Sequence, residues 1–440
     1  MNLTVEIHHG GEWHECGSIE LMDVARGYRG PSIVDYDLDY FTEFAAADYH
    51  RLGRVCDNRA MSVRYPVDLE NRYLDTWPPF LLDLMPQGHA RKMLSEHLGL
   101  EEGARASDFP LLLRAAGNPV GNIRIKEATR EEDERLRRVV RVGVTLDDIF
   151  GRTDRFDEVV DRFAMIASGS SGLQGEWPKV ALTLAKDGLY YPDVFVGDDE
   201  AVRHVIVKLL RSREERDRLI LETEASYSKL AQELGLNMYE PSDYFEGVLV
   251  IPRSDRVVQR GGVLRYGQES MVSAVGVADF GYIGSHEEYI EVLRRYSNTP
   301  VEDIIEYVKR DVANRAFGNP DNHGRNTALS KHPDGRIRLA PLFDFAPMRL
   351  AIEGIPRSTR WAVMRDRHMD HAPDWRDIVD TVFPDQSGRN QLRAELATLA
   401  EKLLTAPDGA RNLGVPEGVI ERAMADCTAV ATSILDRFVR

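Results

Sequence analysis

The sequence predicts an α+β chain, with a mixed α/β N-terminal part that gives way near Tyr266 to an all-α C-terminal lobe. Three observations predict it. Short alternating apolar runs bounded by glycine recur in the first part, at residues 3–7, 180–184 and 204–210. From about Gly284 onward apolar residues recur at helical spacing. Between the helices lies one loop–hairpin–loop unit, GNPDNHGRNTAL at 318–329 and LFDF at 342–345, rich in groups that packing does not reward.

Taken in order, residues 3–7 read as a strand, Gly10-Gly11 as a hairpin turn and residues 12–20 as the return strand. Residues 77–84 form a short apolar helix that ends at Pro86. Residues 90–98 form a helix capped by Gly99, and residues 108–116 another, stopped by Gly117-Asn118. Residues 121–126 read as a strand. The charged run 127–141 is a solvated linker or surface helix. A Gly/Ser-rich stretch, 166–179, precedes the strand at 180–184. It is either a plain loop or a backbone cradle for phosphate oxygens. Lys208 stands among apolar neighbours in the next strand, so it either snorkels at an edge or points at an anion. A helix over 216–234, closed by Gly235, puts Glu224 on one face with Tyr227, Ala231 and Leu234. It is a solvated edge residue or the partner of a cation, and Lys208 is the nearest candidate in sequence. An apolar strand at 245–251 breaks into Pro252-Arg253-Ser254-Asp255-Arg256, a natural hinge. The clearest helix starts with Thr299 as N-cap, Pro300 at its first position and Glu302 closing a capping box. It runs to Gly318-Asn319-Pro320. Residues 392–404 and 423–439 are further amphipathic helices. These segments divide into 1–126, a charged 127–150, 151–265 and 266–440.

The length of 440 residues allows two to three domains. A formal charge of −16 argues against bare DNA as the main partner, since phosphate binding needs a basic face. Three distant cysteines make no disulfide framework or zinc pattern and indicate a reducing compartment. No apolar stretch approaches the length of a membrane span, and the N-terminus lacks a signal-peptide pattern, so a cytoplasmic protein is expected.

In the loop–hairpin–loop unit, residues 327–329 and 336–340 are strand-like and turn at Pro333-Asp334-Gly335. A hairpin returns its ends to one place, so Asn326 and Asp344 should lie side by side, near Asp321 and His323. Asp321 and Asn326 are five apart, the spacing of the catalytic aspartate and metal-holding asparagine of protein kinases. Asp344-Phe345 takes the place of the second metal-holding aspartate. Phosphoryl transfer needs a base that orients a hydroxyl and oxygen ligands that fix Mg²⁺ on phosphates. Asp321 suits the first task, Asn326 and Asp344 the second. The plainer alternative is an Asx-rich loop that satisfies its own backbone.

Together these residues resemble the HipA family, the kinase toxins of bacterial toxin–antitoxin pairs. The resemblance runs through FLLDLMPQGHARKML and PLLLRAAGNPVGNIRI, then Gly175, Pro178-Lys179, Lys208, Glu224, Arg253 and Asp255-Arg256, and is strongest in GNPDNHGRN with PLFDFAP. It implies a protein-kinase-like fold, ATP with Mg²⁺, and serine/threonine phosphorylation of a protein involved in translation. A HipB-like helix-turn-helix antitoxin would be the partner, DNA being reached only through it, and no membrane is involved. By position, Gln174, Gly175, Glu176, Trp177, Pro178, Lys179 and Lys208 would contact phosphates, with Glu224 as the lysine's partner. Pro252, Arg253 and Ser254 would lie along adenine. His323, Gly324, Arg325, Asn326, Phe343 and Asp344 would line the nucleotide, with Asp321 as base and Asn326 and Asp344 on Mg²⁺. Where family members carry a self-phosphorylated serine this chain has Gly172, so that role passes to Ser171 or Ser170. Glu-Arg-Phe at the hinge of typical members is Pro252-Arg253-Ser254 here, and Trp177 replaces a glutamine. Two other functions fit the residues: a small-molecule or lipid kinase with the same fold, and a catalytically idle corepressor partner of an antitoxin.

Overall fold

The computed structural model describes residues 1–101, 103–167, 177–352, 354–367 and 373–439. Two compact units share the chain. The first takes Met1–Arg211, Val250–Tyr282 and Leu329–Ile337. The second takes Ser212–Leu249, Ile283–Ala328 and Arg338–Arg440.

The first unit opens with the expected hairpin. Strands Asn2–His9 and Glu12–Leu21 pair antiparallel, from Asn2 opposite Glu20 to His9 opposite Glu12. The turn is possible because Gly10 and Gly11 take φ of 63° and 95°. Ser32–Tyr36, Arg72–Leu74 and Ile123–Ile125 complete a five-stranded sheet. Its inner face, with Val5, Ile7, Ile19 and Val34, buries against Trp77, Leu81 and Leu112. The short apolar helix expected at 77–84 is a 3₁₀ helix over Pro79–Leu84. The charged run folds as the helix Lys126–Leu136, but Ala128 and Glu132 are buried, so it is no free linker. In the second sheet Lys179–Ala185 pairs with Tyr190–Pro192 on one side and with Ala201–Leu209 on the other. In this unit Lys331 is fully buried and donates from Nζ to the Ala60 carbonyl at 2.9 Å. Glu269 lies 3.6 Å away and neutralises it.

The second unit is helical, built on Glu215–Glu233, His286–Tyr296, Pro300–Ala316, Gln386–Asn412 and Cys427–Phe438. The run expected as one strand at 245–251 is a hairpin, Asp243–Phe245 and Val248–Pro252. Glu246 and Gly247 turn between them with φ of 45° and 88°. The helix expected to stop at residue 404 continues past Pro407 to Asn412. It packs on Cys427–Phe438 and Pro300–Ala316, and that burial outweighs one missing backbone donor.

Candidate active site

The helix Pro300–Ala316 buries Ile304, Ile305, Val308 and Val312, the stripe its spacing predicts. Its start differs from expectation. Thr299 makes no side-chain cap, and no capping box forms with Glu302. Asp303 orders this end instead. It accepts from the Ser297 hydroxyl at 2.6 Å, from the Leu339 N–H at 2.9 Å and from Arg338 Nη2 at 3.0 Å. The helix start is thereby bonded to the return strand of the hairpin. The other end is fixed by sterics. Gly318 has φ of 62°, and a Cβ there would lie 2.4 Å from the Ala423 carbonyl oxygen.

Asn319, which reads in the sequence as part of a helix stop, holds the site together. It is 3% exposed. Its Nδ2 donates to Asn314 Oδ1 at 2.9 Å and to the Asp344 carbonyl at 3.5 Å, and its Oδ1 accepts from the Asp321 N–H at 3.3 Å. One amide therefore ties the Asp321 loop to the Asp344 loop. Within the first loop Asn326 Nδ2 donates to the Asp321 carbonyl at 3.0 Å, and the Asn326 N–H to the His323 carbonyl at 2.9 Å. The Arg325 N–H donates to His323 Nδ1 at 3.3 Å, which leaves the neutral ring's proton on Nε2, 3.5 Å from Asp321 Oδ1. Asp321 and His323 remain about a third open to solvent, with side-chain exposures of 31% and 38%. Gly324 must be glycine, since a Cβ there would fall 2.2 Å from the buried Tyr289 hydroxyl. The hairpin between the loops forms as read. The Ala340 N–H donates to the Ala328 carbonyl at 2.9 Å, and Gly335 turns with φ of 85°.

Asp344 itself sits in the left-handed region at φ 51°, uncommon for any residue with a Cβ. Its neighbour Phe345 is locked by a ring trio. Tyr227 and Phe345 centroids lie 5.3 Å apart, Phe317 and Phe345 5.4 Å, and Tyr227 and Phe317 4.9 Å. The Tyr227 hydroxyl donates to the Phe317 carbonyl at 3.0 Å. The helix that bears Glu224, the end of Pro300–Ala316 and the Asp344 loop thus share one packed core. Phe343 is half-buried and Arg325 buried. Among the described residues no three His, Cys, Asp or Glu side chains cluster as a ready-made metal cage.

The remaining candidates, apart from Glu224, fall in the chain segments of the first unit. Gln174, Gly175, Glu176, Ser170 and Ser171 fall outside the described residues. Trp177 is buried at the entrance to the strand. Lys208 Nζ stands 5.5 Å from its ring centroid and Arg211 Cζ 5.2 Å. The Leu209 N–H donates to the Pro178 carbonyl at 2.9 Å, and Lys179 stands opposite Lys208 in the ladder. At 3% exposure Lys208 does not snorkel. Glu224 is 5% exposed and belongs to the second unit.

At the hinge Arg253 is engaged inside the fold. Its Nε and Nη2 donate to Asp255 at 2.8 and 2.6 Å, and its Nη1 pairs with Asp193. Arg256 Nη1 reaches Asp193 at 2.9 Å, and the Gly121 N–H donates to Asp255 at 2.9 Å. Burial pushes the Asp255 carboxyl up, but Arg253 and then Arg256 overcome it and hold it down to about 2. Asp193 is held far lower still, against its own burial, by Arg253 and Arg256. Sequence reasoning misses this cluster because Asp193 lies sixty residues before Arg253.

The description "HipA-like C-terminal domain" fits residues 171–406, more than half of the chain. Y4mE of Sinorhizobium fredii, which carries a provisional kinase name, is 28% identical over 279 residues. The match covers 60% of this chain and 63% of Y4mE, so the chain spans less than two thirds of that relative. HipA of Shewanella oneidensis, solved in a complex with HipB and its operator DNA, superposes with a TM-score of 0.60 at 17% identity. That match covers 99% of this chain and 96% of the other. With its protein-kinase-like HipA fold and its Asp321–Asn326 loop, the chain belongs to the HipA family.

Proposed function

We propose that this chain is an ATP- and Mg²⁺-dependent phosphotransferase that places the γ-phosphate of ATP on a serine or threonine hydroxyl of a protein of the translation machinery. The observation that carries the reading is the Asn319 amide, bonded to the backbone of both Asp321 and Asp344. Asp321 accepts the acceptor's hydroxyl proton as its oxygen attacks the γ-phosphorus, and the bond from that phosphorus to the β–γ bridging oxygen breaks to release ADP. His323 Nε2–H faces the Asp321 carboxylate and orients it. The donors suit a magnesium ion. Asn326 uses Nδ2 on the Asp321 carbonyl, which leaves Oδ1 as a ligand atom, and Asp344 adds a carboxylate. Mg²⁺ takes one or two such groups and completes its shell with phosphate and water oxygens. When bound, it neutralises charge that develops on the transferred group.

Lys208 and residues 174–179 are assigned to the phosphates. Because the Arg253 side chain is committed to Asp193 and Asp255, residues 252–254 are assigned to adenine through their main chain. Residues 1–126 are taken as an N-terminal subdomain, 127–150 as a charged connection, 151–265 as the small lobe and 266–440 as the catalytic lobe. Ser171 or Ser170 is the proposed site of self-phosphorylation. The Shewanella HipA was solved with HipB and operator DNA, and a helix-turn-helix antitoxin is the partner we assign here. A net charge of −16 suits indirect contact with DNA, and we assign the chain to the cytoplasm, where such an antitoxin would act. No helix among the described residues is long and apolar enough to cross a membrane. Labelled ATP with protein, lipid and sugar acceptors tests the reading. Asp321→Asn should lower transfer to protein by about 10²–10⁴, the usual worth of a general base, and a loss under about tenfold would remove Asp321 from that role.

A further inference from the structure

The segment that follows the Asp344 loop is anchored by a carboxylate on the helix that feeds the Asp321 loop. Asp311 is 3% exposed. It accepts from Trp361 Nε1 at 2.9 Å and from Arg357 Nη1 at 3.3 Å, both on that segment. Arg315 Nε, from its own helix, adds a bond at 2.9 Å, and His286 Nε2 lies 3.3 Å away. His286 is held in turn through Nδ1, 2.8 Å from the Tyr307 hydroxyl. Glu287 takes the N–H groups of Ala362 and Val363 at 2.8 and 3.0 Å, and the His286 N–H donates to the Arg360 carbonyl at 3.1 Å. The segment also grips the Asp321 loop directly. Asn322, next to Asp321, donates from Nδ2 to the Thr359 carbonyl at 3.2 Å.

A buried carboxylate needs a cation, and Arg315 supplies one from the same helix. Arg357 and Trp361 go further, because they fasten residues from beyond the Asp344 loop. The contacts run from Asp311 to Arg357 and Trp361, along the backbone to Thr359, and through Asn322 to Asp321. A bidentate-capable guanidinium and an indole N–H fix direction as well as distance.

We propose that Asp311 is a positioning residue for phosphoryl transfer, holding residues 357–361 so that their backbone sets the aim of the Asp321 loop. The proposal rests on the kinase reading above. Aim matters because a displacement of about 1 Å at the reacting groups costs on the order of 10²-fold in rate.

The test uses the full chain with Mg-ATP, following ADP release with water as acceptor and labelled phosphate on dephosphorylated casein. Arg357→Gln should lower kcat about tenfold and Asp311→Asn about a hundredfold, with KM for ATP within about twofold of wild type. Arg357→Lys, which keeps the charge, should restore at least about a third of the lost rate. The double variant should be no slower than Asp311→Asn alone, since both act on one anchored unit. Full kcat in Arg357→Gln, or losses that multiply in the double variant, would overturn the proposal. If Asp311→Asn does not fold, Arg357→Gln decides alone, because its guanidinium is partly exposed. Turnover in wild type that Asp321→Asn abolishes and Arg357→Gln leaves intact overturns the positioning role only. No turnover in wild type overturns the kinase reading along with it.

Discussion

Replacing Asn319 isolates the join between the two loops. Its Nδ2–Asn314 bond at 2.9 Å is of ordinary length, whereas the bonds to the Asp321 N–H and the Asp344 carbonyl, at 3.3 and 3.5 Å, are long. One full bond at about 1 kcal/mol and two weak ones at about 0.5 each give about 2 kcal/mol, and a buried polar group left unpaired raises the loss in Asn319→Ala to about 3. Asn319→Asp is the sharper probe. It keeps the acceptor for the Asp321 N–H but turns an oxygen toward the Asn314 and Asp344 oxygens. Denaturant unfolding should therefore find Asn319→Asp at least as destabilised as Asn319→Ala. On the proposed function, turnover of Mg-ATP at saturation should fall by about 10–100-fold in both, since the two loops assigned to the base and the ion lose their common reference. A variant that unfolds about 2 kcal/mol more easily yet keeps kcat within about twofold would refute the reasoning, because the amide would then matter only to stability.

Other outcomes follow from the geometry. Asp193→Asn removes one carboxylate from between Arg253 and Arg256 and should destabilise the chain by about 3–5 kcal/mol in urea unfolding, as for broken buried pairs. Asp255 is held down to about 2, so its stabilising share is complete above the ordinary carboxylate value and disappears as pH falls toward 2. An Asp255→Asn variant should accordingly lose its disadvantage in acid. Burial, then Arg265 beside His8 and His14 beside His9, lower both histidines to about 4. They fold neutral, so their contribution is whole above about pH 6.5 and falls away as pH drops toward 4. Unfolding midpoints equal at pH 7 and pH 4.5 would contradict this. Gly318→Ala meets both a φ of 62° and the Ala423 carbonyl, and should lower the melting temperature more than Gly414→Ala, where φ is 80° but nothing lies within 4 Å.

What could be read ahead of the fold was what local chemistry dictates. Gly10-Gly11 announces a turn because both residues need positive φ, and the stripe on Pro300–Ala316 announces a helix because its period is 3.6. Asp321, Asn326 and Asp344 stood out because their spacing is of use to a phosphate chemist and of little use to a core. The misreadings arose where distant partners decide. Thr299 looks like a cap, yet Asp303 bonded to Arg338 and Leu339 organises that helix end. The apolar run around Val248 hides the turn at Glu246-Gly247 inside it. Asn319 is concealed within a phrase that spells helix termination, and Tyr289 earns its place only by lying against Gly324. Arg253 reads in the sequence as a hinge residue along adenine, and nothing local announces that Asp193 and Asp255 claim its side chain.

The left-handed backbone at Asp344 narrows what can ever occupy that position. Most side chains with a Cβ are penalised by roughly 1–2 kcal/mol there, and only glycine, asparagine and aspartate enter it readily. Of these, glycine relaxes the chain but brings no ligand, and asparagine brings an oxygen without its charge. Folding and the role we assign to Asp344 therefore pull on this residue in opposite directions, and aspartate leaves the protein slightly less stable than glycine would while keeping the charged oxygens that the proposed cation site calls for.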